Sequence, residues 1–481
     1  MTSLSETSLL AGASGQSAGY LINQSIRFND NDSPQLKKTF SSAGTEETFT
    51  FSCWFKRGNT GPNLGNSSQG IAIFSGGSSG NYYGEIRIDS SGYGVQDSLH
   101  FYNINGGSFN MQLVTTRLFR DPSAWYHIVC VMDTTQAVAS ERMRIYVNGA
   151  RETSFSTETY PSQNLASNYN TATEHGVGVS LGIRSFEGYF AEVHFLDGYA
   201  YGPEYFGKFT SDLIWVPIEY SSSYGSNGFY LKGSNSGSLG ADSSGNGNNF
   251  TSSGLAANDQ KTDTPTNNMI TFNPLNNQRS GGTVSNGNLD YVGPGTRTLI
   301  SLTANIPSTG KWAIAFKVAQ VSTNVGWQFG ITKATNSSFG DAAGSNEDVG
   351  ASDGVRMDPS SSDLYLYDYV NSTGIDPSLP LTTSDEFWIA VDMATGKVFL
   401  GIYDESATAM KFVAADTALD GNPATGDNPT ATISDMIGST EYTFAVGSKQ
   451  TSQHVYLQRS TDVSGTTPSG YTYFENVKDI L

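Results

Sequence analysis

Apolar and polar positions alternate along much of this chain with a period of two. In Phe49–Phe55, residues Phe49, Phe51, Cys53 and Phe55 fall on one side, and Thr50, Ser52 and Trp54 on the other. That is the spacing of a strand with two different faces. Trp125–Asp133 (WYHIVCVMD) is nearly continuous in apolar residues, as in a central strand of a sandwich. Met143–Val147 (MRIYV) alternates again and runs into Asn148-Gly149, a strong two-residue hairpin signal. Val177–Ile183 and Gly188–Phe195 (GYFAEVHF) read as a further strand pair. The second half repeats the style in Trp312–Val318, Gly326–Ile331, Leu364–Tyr367, Phe387–Met393 and Val398–Tyr403. Thr395-Gly396-Lys397 supplies the turn of the last hairpin. No amphipathic helical pattern runs beyond about ten residues. The spacing predicts an all-β chain with two sandwich-like regions.

Between these regions lies Ala241–Asn268, ADSSGNGNNFTSSGLAANDQKTDTPTNN. Phe250 and Leu255 are its only large apolar residues. Gly228–Leu231 (GFYL) before it and Met269–Phe272 (MITF) after it restore apolar anchors. Phe250, Leu255 and Pro265 are spaced like pegs on a surface. The stretch therefore reads as an ordered connector, held by Asx-type turns and packed along one or both sandwiches. A flexible Gly/Ser linker would need fewer anchors. The chain divides into an N-terminal arm (1–19), a first sandwich (20–218), a connector with short strands (219–290) and a second sandwich (291–481).

Composition sharpens this picture. Charged residues make up 15% of the 481 positions, against a typical ~25%, while aromatics reach 12%. With 53 glycines, that favours many short strands joined by small polar turns. The formal charge of −19 disfavours nucleic-acid partners, which need clustered Lys and Arg, and guards against aggregation. No apolar run reaches the ~18 residues of a membrane helix. MTSLSETSLLAGASGQSAGY has no Lys or Arg and no apolar core, so it does not read as a signal peptide. Two cysteines, Cys53 and Cys130, make no disulfide framework. Without an export signal, reduced thiols made in a cytosol are the default.

Several of these segments, in order, resemble the laminin-G and pentraxin group of concanavalin-like jelly rolls. Phe49–Arg57 (FTFSCWFKR) is similar to the group's early core strand. Trp125–Asp133 with Ile145–Gly149 (IYVNG) is similar to its central hairpin, and Gly188–Phe195 to its closing strand. The last third resembles the SPRY domain, another concanavalin-like sandwich. The likeness rests on Gly310–Val318 (GKWAIAFKV), Gly326–Ile331, Asp385–Tyr403 (DEFWIAVDMATGKVFLGIY) and Thr467–Tyr471 (TPSGY). Tyr403-Asp404 stands where that pattern has Asn-Gly. The pairing of both, joined by D-x-S-G-N-G-N-x-F and D-T-P-T-N-N, resembles structural proteins of marine tailed bacteriophages. The resemblance implies two concanavalin-like jelly-roll sandwiches in a virion component. Pentraxins join the early and central strands by a disulfide. Cys53 and Cys130 lie on matching strands, each one position later, so a bond between them and two buried free thiols both stay open.

Catalytic sets are missing. Concanavalin-like glycosidases place carboxylates as E-x-D-x-x-E on one strand. The nearest match, Glu187–Glu192 (EGYFAE), lacks the middle Asp. Glu187 reads as turn polarity and Glu192 as a strand residue. His100, His127, His175, His194 and His454 form no HxxxH or HExxH, and His127 and His194 read as structural. There is no G-x-S-x-G and no P-loop. No catalytic residue and no firm cofactor are expected. Some relatives of the first sandwich bind calcium on rim loops, and Asp30, Asp32, Asp133 and Asp242 are weak candidates for it. The Asp242–Asn248 loop lacks the acidic ligands of an EF-hand, with Ser253 at the twelfth place.

Sugar sites need an aromatic face and polar groups for hydroxyls. Asn81-Tyr82-Tyr83, the Tyr199–Tyr205 segment with Tyr199, Tyr201 and Tyr205, and Tyr365–Tyr369 with Tyr365, Tyr367, Asp368 and Tyr369 offer that mixture. The alternative is that these tyrosines cap sandwich edges. The expected protein is a non-enzymatic structural component of a phage virion, made in the host cytoplasm. It would be a tail fibre or other appendage, homo-oligomeric, with other virion proteins and a host-surface glycan or protein as partners. It needs neither nucleic acid nor membrane insertion. Capsid decoration or an adaptor role is the alternative. A polysaccharide-degrading enzyme and a secreted bacterial lectin fit less well.

Overall fold

The computed structural model describes residues 19–58, 70–91, 94–180, 184–278, 282–294, 298–319, 327–334, 354–360, 363–368, 373–375, 379, 381–448 and 451–477. Among these, regular structure is β apart from short 3-10 turns. The fold is all-β. Two compact units divide the chain, Met1–Asn268 and Met269–Leu481. The division falls inside the 219–290 segment, so the Ala241–Asn268 stretch goes wholly with the first unit. Residues 1–18 of the expected arm lie outside the described residues.

The first unit pairs two eight-stranded antiparallel sheets. In one, Thr48–Arg57 lies between Trp125–Asp133 and Gly188–Asp197. Ser25–Phe28 and Gln260–Lys261 extend it on one side, Met143–Val147 on the other. The other sheet centres on Ile71–Ser79, Tyr82–Ile88 and Ser98–Asn105. The two-residue period sends Phe49, Phe51, Cys53 and Phe55 into the core with Phe28, Phe74, Phe101 and Phe195. Phe51 stacks on Phe74 of the opposite sheet with centroids 4.7 Å apart. Each such buried ring contributes ~1.5–3 kcal/mol by leaving water.

The opposite face of Thr48–Arg57 is buried as well. Residues 199–231 and the polar stretch fold back over it, so Trp54 joins Ile22, Trp125, Tyr189 and Trp215 in a second apolar layer. The Asn148-Gly149 turn forms as its sequence demands, with φ of 47° and 80°. Trp215 packs on that turn so closely that a Cβ on Gly149 would lie 2.3 Å from its ring. Of the strand expected at Val177–Ile183, residues 181–183 lie outside the described residues, and the described part does not pair with Gly188–Asp197. Glu174–Val177 belongs to the other sheet, beside Gln35–Thr39 and Ile71–Ser79. Gly188–Asp197 takes Thr48–Arg57 and Ser25–Phe28 as partners instead. Its apolar residues on both faces complete the core on one side and the covered layer on the other.

The second unit packs a seven-stranded sheet against a nine-stranded one. Glu386–Asp392 lies between Lys311–Val318 and Lys397–Asp404. Rings of Phe316, Phe329 and Phe387 stack through its core at 5.4 and 4.9 Å. Thr472–Tyr473 pairs in parallel with Lys311–Val318.

Candidate functional site

Tyr199, Tyr201 and Tyr205 come together as a column on the first unit. Thr50, on the central strand, positions them. Its hydroxyl donates to the Tyr199 carbonyl at 2.8 Å and accepts from the Tyr201 amide at 2.9 Å. Below, Phe206 and Tyr220 stack at 5.2 Å on a floor of Val129, Val131 and Leu196. The Tyr201 and Tyr205 rings lie 4.0 Å apart and 4° from parallel. Tyr199 follows at 5.3 Å, tilted by 33°. Tyr205 remains 37% exposed at the end of the column. Burial, then the neighbouring Tyr205 and Tyr199, push the Tyr201 phenol up. The arrangement offers a stacked aromatic face ending in an exposed ring, which suits a sugar ring or an apolar side chain.

The Asn81-Tyr82-Tyr83 cluster divides by strand alternation. Asn81 and Tyr82 sit at a hairpin tip, with Tyr82 46% exposed. Tyr83 does not face solvent: it is 6% exposed and accepts a hydrogen bond from the Tyr102 hydroxyl. Behind it lies a buried polar network that sequence inspection missed. Glu85 accepts from Tyr102 and from Arg184, and Arg87 binds Asp89. The G-E-I-R-I-D alternation was its available signal, hidden because a strand with charges on one face reads as solvated. Tyr365, Tyr367 and Asp368 lie on the Asp363–Asp368 strand, and Tyr369 lies outside the described residues.

The carboxylates of Glu187 and Glu192 occupy different surroundings. Glu187 accepts from the Asp30 amide at 2.7 Å. Glu192 sits at a bulge, at φ 51°, where pairing with Thr48–Arg57 shifts register. Its carboxylate accepts from Tyr230 at 2.7 Å and Tyr20 at 2.9 Å, with His194 at 3.7 Å. Burial alone would raise its pKa; the contacts from His194, Tyr230 and Tyr20 outweigh that and hold it below the usual range. His127 is buried between Ser52 and Trp215, and burial pushes it down to about 3. The Trp215 indole donates to its Nδ1, so the neutral ring serves packing.

The calcium candidates fall on three turns, Asp30 and Asp32 sharing the 3-10 turn Asp30–Asp32. Asp32 accepts from Asn29, and Asp133 from Thr135 and Gln136. Asp242 accepts the amides of Tyr230, Ser244 and Asn248 and the Ser244 hydroxyl. Among the described residues no group of three or more His, Cys, Asp or Glu side chains is arranged to hold a metal ion. Cys53 and Cys130 are buried and free. Cys130 stands opposite Phe51, and Cys53 opposite Ile128. That diagonal separates Cα atoms by ~7–8 Å, beyond the ~4.4–6.8 Å of a disulfide. The bond implied by the pentraxin likeness is therefore absent; both thiols serve as core side chains, with pKa values raised by burial.

Residues 28–201 match the family described as the concanavalin A-like lectin/glucanases superfamily. No curated protein matches the chain. Among solved structures, a candidate carbohydrate-binding protein from Bacteroides ovatus is 18% identical, with a TM-score of 0.33. That match covers 51% of this chain and 62%, under two thirds, of the other. The LG4-5 domains of the mouse laminin alpha1 chain are 9% identical over 96% of this chain and 89% of theirs, with a TM-score of 0.29. The SPRY domain of human HERC1 is 16% identical over 39% and 96%, with a TM-score of 0.24. Within the first unit, residues 28–201 are thus similar to laminin-G-type, concanavalin A-like domains.

Proposed function

We propose that this chain is a non-enzymatic binding protein of a tailed-phage virion, displaying the tyrosine column to a host-surface glycan. The column itself carries the reading: three rings on a lectin-like unit, locked by Thr50 and ending in exposed Tyr205. A pre-set aromatic surface loses little entropy on binding. Weak single sites gain from multivalent display, which favours a homo-oligomeric appendage such as a tail fibre. The phage setting rests on the paired resemblance and the D-T-P-T-N-N marker. Binding of purified protein to an array of bacterial surface glycans tests the binding role, with Tyr205→Ala as control. Competition with phage adsorption tests the setting: a receptor-binding appendage reduces adsorption, and a protein that leaves it unchanged is not one.

A further inference from the structure

The D-T-P-T-N-N segment does something no glycan reading absorbs. Thr264 and Asn267 exchange backbone hydrogen bonds at 3.3 and 3.0 Å, closing a turn. Thr266 pins that turn to Ile22 through both backbone groups. The two ends, Asp263 and Asn268, meet at one amine. Lys56 Nζ donates to Asp263 Oδ2 at 2.9 Å and to Asn268 Oδ1 at 2.8 Å. Lys56, Asp263 and Asn268 are all buried. Lys56 stands in register between Trp125 and Tyr189 on the two flanking strands, which places these aromatic residues beside it on the same face of the sheet. The Trp125 indole donates to Asp263 Oδ1 at 3.0 Å, and Asn268 Nδ2 donates to the Ser123 carbonyl at 2.8 Å.

We infer that Lys56, Asp263 and Asn268 form a self-processing site that makes an isopeptide bond between Lys56 Nζ and Asn268 Cγ. A simple ion pair needs only Lys56 and Asp263. Here an amide is also oriented, and its carbonyl carbon lies one bond, ~1.2 Å, beyond the oxygen that Nζ touches. Such fixed proximity in a water-excluded site is what amide exchange requires. The Lys56 amine, having passed a proton to Asp263, attacks Asn268 Cγ. The Nζ–Cγ bond forms. Asp263 returns that proton to Nδ2, the Cγ–Nδ2 bond breaks and ammonia leaves, and Asp263 takes up the second Nζ proton, ending as a neutral carboxyl. Atoms balance without oxidant or co-reactant. The product is an amide, which removes the cost of keeping an ion pair away from water. It also ties the last residue of the first unit to that unit's central strand.

Intact mass of the full chain, measured under denaturing conditions, reads this directly. The expected mass is one ammonia below that of the sequence, with a proteolytic fragment joining the Lys56 and Asn268 peptides. Asp263→Asn and Asn268→Ala should each show their full sequence mass. A wild-type chain at full sequence mass overturns the proposal whether or not either variant folds. A loss of water instead, with Lys56 linked to Asp263, overturns the role of Asn268 as acceptor.

Discussion

In Ala241–Asn268 polar side chains such as Asp259, Asp263 and Asn268 are buried, whereas in Tyr199–Tyr205 the tyrosine rings stay half-buried or exposed. The first segment looks by composition like a linker, the second like core. Asp242 is a hub for three backbone amides and a hydroxyl. Asn246 and Asn248 both donate to the Gly228 carbonyl. Asp259 is bound through one oxygen by Arg27 and through the other by the Ala256 amide. Phe250 then enters the core against Phe229 at 4.6 Å. The tyrosines need no such bonds, because their rings rest on a floor already complete. Where a segment lies thus depends on whether its polar groups find partners, more than on how apolar it is.

The strongest way to break this contrast is Asp259→Ala. It leaves Arg27 buried without its carboxylate, so the first unit should lose about 3–5 kcal/mol. Denaturant unfolding followed by tryptophan fluorescence measures it. A loss below about 1 kcal/mol would return the stretch to the status of a linker. Asp242→Ala should cost less, about 1–3 kcal/mol, because several backbone donors lose one acceptor without stranding a charge. Hydrogen exchange should rise at the Tyr230, Ser244 and Asn248 amides and stay unchanged at Phe51.

The difference between these regions also marks what could be read in advance. Strand periods at Phe49–Phe55 and Trp125–Asp133, and the Asn148-Gly149 turn, are local signals, and local geometry honours them. Which strands pair is not local: Glu174–Val177 joined the sheet opposite to Gly188–Asp197. Tyrosine clusters were visible, but Tyr83 fell on the buried side of a strand while Tyr82 did not. Lys56, Asp263 and Asn268 meet across more than two hundred residues, and no spacing along the chain announces that.

Glu192 gives a subtler test, because it joins polar anchoring to an aromatic setting. Its carboxyl is held below the ordinary range, so its contribution is present above the unfolded value of about 4.3 and lost as pH falls through the folded one. Glu192→Gln should flatten the acid limb of the stability profile, leaving neutral pH less affected than Asp259→Ala does. Parallel wild-type and variant profiles between pH 7 and 3 would show that Tyr20, Tyr230 and His194 do not select the ionised form.

The smallest effect on stability belongs to Tyr205→Ala. Tyr205 ends the column, so its removal uncovers Tyr201 without opening the floor of Phe206 and Tyr220. Stability should change by only about 0.5 kcal/mol, as for surface sites. Glycan affinity should nevertheless fall at least about tenfold, the loss typical of an aromatic anchor. Calorimetry on the purified chain separates the two readouts. If stability falls by several kcal/mol while binding is unchanged, the column is a cap on the sheet. If binding falls alone, these rings are displayed for a partner, because nothing inside the fold needs them there.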